Sequence, residues 1–154
     1  MNAFARTFYA VVIGGLAVSA WPAAAQSQLA DSASRPAGYQ PRPGDPAAGE
    51  KLFNAPRLSS NGMSCASCHA NNASFSDSFA QPYPHAVAMA RDQLGRQTIH
   101  LDEMVQACMV MPMAAKPLPW NSKELADLTA YMAQLQKTFK ARAPRRPDGR
   151  TAGG

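Results

Sequence analysis

Cys65, Cys68 and His69 stand in a C-x-x-C-H run, with Ala66 and Ser67 between the thiols. Two thiols three positions apart on a helical turn can each bond one vinyl group of the same porphyrin. The residue that follows then turns its imidazole toward the iron, which is the attachment spacing of c-type haem. Other chemistries use C-x-x-C and ask for different surroundings. A thioredoxin-like redox site wants a βαβ context, which the sequence does not offer. A zinc site wants a second pair of ligands at short spacing, and only Cys108, His85 and His100 remain. The redox chemistry of a haem belongs to the cofactor; the protein supplies binding, orientation and tuning.

The second axial position on the iron is where residue type decides function. The candidates are Cys108, Met109, Met111, Met113, His85, His100 and Lys116. An axial thioether raises the haem potential and suits electron transfer, whereas a thiolate pushes electron density onto the iron. Cys108 is the third cysteine, and with Cys65 and Cys68 on the haem it has no disulfide partner in the chain. Three roles stay open for it: a ligand, a small buried hydrophobe, or an intermolecular bridge. Met111-Pro112-Met113 competes with it, Met113 ahead of Met111. His85 and His100 read as surface or loop histidines, and Lys116 ligates only as the free amine.

Several helices must position these groups. Asp45 is a good N-cap and Pro46 suits a first helical position, so a short helix is predicted over 46–53, with Ala48, Leu52 and Phe53 inward and Pro56 ending it. The stretch 74–84 reads as loop, and 86–94 as a short helix stopped by Gly95. Over 99–109, Leu101, Met104, Val105 and Cys108 fall on one helical face, so Cys108 points with the apolar stripe. Pro112, Pro117 and Pro119 force 111–121 into an irregular loop. Ser122 then caps a long last helix carrying Leu125, Leu128, Met132, Leu135 and Phe139, with Tyr131 placed to pack toward the first helix.

The ends read differently. Arg6, the apolar run 8–20 and Ala23-Ala24-Ala25 make residues 1–25 a signal peptide, with the mature chain starting near Gln26. If retained, the segment is the only membrane contact expected. Residues 26–45, rich in Ser, Pro, Gly and Gln, read as a disordered linker, and 141–154 as a basic disordered tail. One domain, 46–140, is left. The formal charge of +5 is concentrated outside it, because 46–140 holds eight Lys/Arg and seven Asp/Glu. No aromatic interleaving or groove-reading motif accompanies the arginines, so nucleic acid is not an expected partner.

The order of these parts resembles class I c-type cytochromes, in Gly49-Glu50-Lys51-Leu52-Phe53, the haem motif and Leu128-Thr129-Ala130-Tyr131. That resemblance implies an all-α, class I cytochrome c-like single haem domain, with one covalently bound haem c on Cys65, Cys68 and His69. It also implies an axial Met in a Met-Pro loop and haem attachment outside the cytoplasm. A sharper likeness lies in 107–118 and 122–131, which look like SoxA, the catalytic cytochrome subunit of periplasmic thiosulfate oxidation. Thiosulfate dehydrogenases carry a similar segment, with Met-Asn-Gly-Lys-Pro-Leu-Pro where this chain has Met113-Ala114-Ala115-Lys116-Pro117-Leu118-Pro119. In both groups a Cys is an axial ligand, which favours Cys108 here, with Met113 or Met111 as the alternative. Two departures stand out: those enzymes usually have two cytochrome domains where this chain has room for one, and SoxA carries an Arg four residues before its axial Cys where this chain has Met104. Arg91, Arg96 and Lys116 are the cations left to replace it.

The expectation is a periplasmic monohaem cytochrome carrying single electrons in sulfur-compound oxidation. Its partners would be periplasmic redox proteins and another cytochrome subunit. The alternatives are a SoxA-like or thiosulfate dehydrogenase-like enzyme subunit using Cys108, and a ligand-binding haem protein with a labile distal ligand.

Overall fold

The computed structural model describes residues 23–141. Among them the order is α1 (Ala23–Ser32), α2 (Pro46–Phe53), a 3-10 turn (Pro56–Leu58), α3 (Ala66–His69), two further 3-10 turns (Ala70–Asn72 and Asp77–Ala80), α4 (Ala88–Leu94), α5 (Leu101–Val110) and α6 (Lys123–Thr138). The described residues are helical, and the one β-type contact is an isolated antiparallel bridge between His85 and Ile99. Residues 1–22 of the expected signal peptide and 142–154 of the expected tail lie outside the described residues, whereas Ala23-Ala24-Ala25 open α1.

The terminal crossing of α2 and α6 frames the domain. Asp45 accepts from the Ala47 N–H at 2.9 Å and Pro46 follows it, so α2 starts where a cap and a pre-set φ coincide. Its buried face is Gly49, Leu52 and Phe53. Ala48, expected to face inward, is only half-buried, and Gly49 makes the contact instead. A Cβ on Gly49 would overlap the Asp127 carbonyl oxygen, so two backbones touch there and only glycine fits. Phe53 meets Tyr131 edge to face, centroids 5.2 Å apart, placing Tyr131 toward α2 as its spacing predicts. Leu52, Phe53, Val105, Leu125 and Leu128 form one core cluster. Ser122 caps α6 by accepting from the Leu125 N–H at 3.2 Å.

A second cluster holds Ala33, Val87, Ala90, Leu94, Ile99 and Ala107. Ala33 belongs to the stretch expected to be a disordered linker, and the structure corrects that expectation. Residues after α1 lie against α4 and α5, with Ala33 fully buried. The Arg35 guanidinium forks onto Asp102 at 3.0 to 3.2 Å, while the Arg35 N–H donates to Glu103 at 3.0 Å. Arg96 reaches Glu103 and the Ser34 hydroxyl, each at 2.9 Å. Further on, Tyr39 packs edge to face on Trp120 at 5.1 Å, and Arg42 donates to the Asn121 carbonyl at 2.9 Å. The composition reading missed this because it weighs large apolar side chains. Here Ala30 and Ala33, packed on the second cluster, and charge-assisted hydrogen bonds to buried carboxylates fasten the chain.

Candidate haem site

α3 carries the motif into a cavity of about 450 Å³, within the range of small-molecule and cofactor sites. Cys65, Cys68 and His69 line it together, and the three cysteines are free thiols. The His69 Nδ1 sits 3.1 Å from the Ala73 carbonyl, which fixes the ring and leaves Nε2 as the nitrogen available to a metal. Ala73 comes back to His69 because Asn71, Asn72 and Ser74 all take positive φ, of 54°, 60° and 56°. Asn tolerates that region best among side chains with a Cβ, so the paired asparagines after the motif were a readable sign of this reversal. The His69 ring stacks on Phe75 at 4.1 Å, and Phe75 on Phe79 at 4.1 Å. Burial, only partly opposed by the Ala73 contact, holds the His69 pKa below its ordinary value, so the ring is neutral at pH 7.

α5 supplies another part of the wall. Its Leu101, Met104, Val105 and Cys108 all line the cavity, so the predicted apolar stripe is the face that looks into it. Met113 also lines it, buried to 3% exposure, with its sulfur 4.0 Å from the Cys65 sulfur. Of the seven candidates for a distal ligand, the structure therefore brings Cys108 and Met113 to the cavity. Met109 is buried elsewhere, Met111 packs on the second core cluster, and Lys116 is exposed. His100 precedes α5, and its N–H donates to Glu103 at 2.9 Å. His85, expected at the surface, is instead buried at 8% exposure, because the bridge to Ile99 draws it inward.

The loop that holds Met113 is tied from several sides. Ser60 donates to the Ala114 carbonyl at 2.6 Å and Asn61 to the Pro112 carbonyl at 2.9 Å. Ala114 sits at φ 47°, a left-handed conformation that costs a residue with a Cβ about 1 kcal/mol. Backbone strain of this kind collects at sites where a neighbour must be aimed.

The cavity is apolar, and among the described residues none lining it is Lys, Arg, Asp or Glu. Arg96 is engaged by Glu103 and Ser34, Arg91 by Asp92 at the surface, and Lys116 stands outside. None of the three puts a cation where Met104 replaces the expected arginine. Burial, followed by the neighbouring Cys65 and Cys68, pushes the Cys108 thiol up to about 12. Burial likewise raises Cys65. Among protein groups alone both are neutral thiols, and a bound metal is what deprotonates a coordinating thiol. An apolar slot, two unpaired thiols, a neutral histidine with one nitrogen committed, and two sulfur donors fit a porphyrin with its iron.

Comparison with known proteins agrees with this chemistry. The family model described as SoxA/TsdA, cytochrome c domain, matches residues 48–140. Neither the curated proteins nor the solved structures returned a match.

Proposed function

Because the chain belongs to the SoxA/TsdA cytochrome c domain family, and is therefore an all-α haem-binding cytochrome, we propose that it is an exported monohaem carrier of single electrons in sulfur-compound oxidation. One observation carries the reading: the cavity gathers Cys65, Cys68, His69 and Cys108, and among the described residues no Lys, Arg, Asp or Glu lines it. When bound, the haem supplies a one-electron ferric/ferrous couple. Cys65 and Cys68 hold it covalently, His69 is oriented by Ala73 to meet the iron, and Cys108 is the distal ligand, with Met113 beside it as the alternative. The apolar lining from α5 and α6 excludes water and needs no internal counter-ion. The work is done in the periplasm, with other redox proteins, among them another cytochrome subunit, as donor and acceptor.

A second reading is favoured by the position of Cys108. As an enzyme subunit, the protein would take a sulfur species at that thiol. The bare cavity counts against an anionic substrate, because a buried anion requires paired charge or hydrogen bonds.

The test is the haem-loaded protein with thiosulfate and an external acceptor. The carrier reading expects a haem retained under denaturing conditions and lost in the Cys65→Ala/Cys68→Ala variant. It also expects a reversible one-electron titration and no turnover. Sustained thiosulfate oxidation that stops in Cys108→Ser would overturn it in favour of the enzyme.

A further inference from the structure

The wall around Cys108 carries a hydroxyl that the proposed ligand set does not use. Tyr83 lines the same cavity as Met104 and Cys108, and it packs against the cluster that includes Ala107, the residue before Cys108. Met104 lies four residues before Cys108, one turn away on the same face of α5. The ring is held by Phe79 at 6.5 Å, edge to face, and by His85 at 4.1 Å. Other hydroxyls lining the cavity differ. Ser64 and Ser76 are engaged with Ser67 and Ser78, and Ser74 is exposed beside the proximal histidine. Tyr83 is half-buried, and its hydroxyl makes no hydrogen bond among the described residues, which leaves it able to donate into the cavity.

We propose that Tyr83 is a positioning residue for the distal ligand, its hydroxyl donating a hydrogen bond to the Cys108 sulfur when that sulfur is on the iron. The inference rests on the reading of Cys108 as that ligand. Partners of this kind orient a metal's ligands and tune the metal. A hydrogen bond to a thiolate draws electron density from the sulfur, so less reaches the iron and the ferrous state gains. A phenol keeps its proton at neutral pH, so Tyr83 has one to share. The bond also places a dipole beside the sulfur in a cavity whose described lining carries no Lys or Arg.

The test uses the intact haem-loaded protein with Tyr83→Phe, Cys108→Ser and the double variant, read by ferric EPR and equilibrium redox titration. Tyr83→Phe keeps the ring and removes only the hydroxyl. It is expected to retain the thiolate low-spin signal with shifted g values. At a fixed potential its ferrous-to-ferric ratio should fall about tenfold, or about 59 mV for a one-electron couple. The shift should vanish when Cys108 is already Ser. Unchanged g values and ratio in Tyr83→Phe overturn the proposal, as does an equal shift in both backgrounds. A Cys108→Ser protein with the wild-type spectrum overturns the ligand assignment itself, a failure recognised without reference to Tyr83.

Discussion

Gln106 and Leu118 are joined as a pair: the Gln106 amide donates to the Leu118 carbonyl at 2.6 Å, and the Leu118 N–H donates back to the Gln106 carbonyl at 2.9 Å. Gln106 is fully buried on α5, two residues before Cys108, while Leu118 follows Met113 in the proline-rich loop. The two distal candidates are thus held by elements sharing one amide clasp. Gln106→Leu keeps the volume and leaves two part-buried backbone groups of Leu118 without a partner. It is expected to cost about 2–3 kcal/mol in denaturant unfolding of the holoprotein and to speed amide exchange at Leu118. Unchanged exchange at Leu118 would show that the clasp does not hold the loop.

Arg35→Met tests whether the segment after α1 is fastened in solution. Asp102 is 2% exposed and loses its forked cation in this variant. With Arg35 itself a quarter exposed, the expected loss is about 2–3 kcal/mol, below the figure for a fully buried pair. Limited proteolysis should then cut between residues 33 and 45. Equal resistance in both proteins would count against the docking.

Acid should loosen the same contact. Burial opposes charge on Glu103, yet the N–H groups of His100 and Arg35 and the Arg96 cation outweigh it and hold its pKa below the ordinary carboxylate value. A depressed pKa in the folded state contributes stability that is present above the unfolded value, near 4.5. That contribution is lost as pH falls through the folded value. Unfolding free energy should therefore decline below about pH 4.5, and Glu103→Gln should flatten that decline. An identical acid slope in the variant would assign the loss to other carboxylates.

Gly49→Ala places a methyl group on the Asp127 backbone, where the crossing of α2 and α6 has no room. Prising the helices apart is expected to cost about 2–3 kcal/mol, seen as a lower thermal midpoint. A variant as stable as the parent would mean that α2 and α6 leave room for a methyl group at their crossing.

Ala114→Asn should act in the opposite direction. Its positive φ is unfavourable for alanine and easier for asparagine, so a gain of about 0.5–1 kcal/mol is expected. The haem spectrum should stay the same, because Met113 keeps its place. A loss of stability would show that the methyl group of Ala114 is needed for packing.

How much of this could be read beforehand follows from how local each feature is. The haem motif is contiguous, so thiol spacing and the adjacent imidazole needed no tertiary knowledge. The helices over 46–53 and 101–110 were legible from a cap, a proline and an apolar period, as was the last helix from its Ser122 cap. The docking of Arg35 on Asp102 was not, because the two are 67 residues apart and neither has a local pattern that names the other. His85 was misplaced for the same reason: its burial follows from a bridge to Ile99, not from its neighbours in sequence.

The sequence by itself therefore determined the chemistry that the chain can hold, because covalent attachment and helical periodicity are written in runs of adjacent residues. That Cys108 faces inward was legible from its helical period, whereas the place of Met113 beside it, with Met111 outside the cavity, was decided by tertiary structure. So was the absence of Arg91, Arg96 and Lys116 from its wall. These depend on α5, the Met113 loop and the 33–45 segment closing on one another, and such closure is a balance of packing and buried hydrogen bonds between residues far apart in the chain.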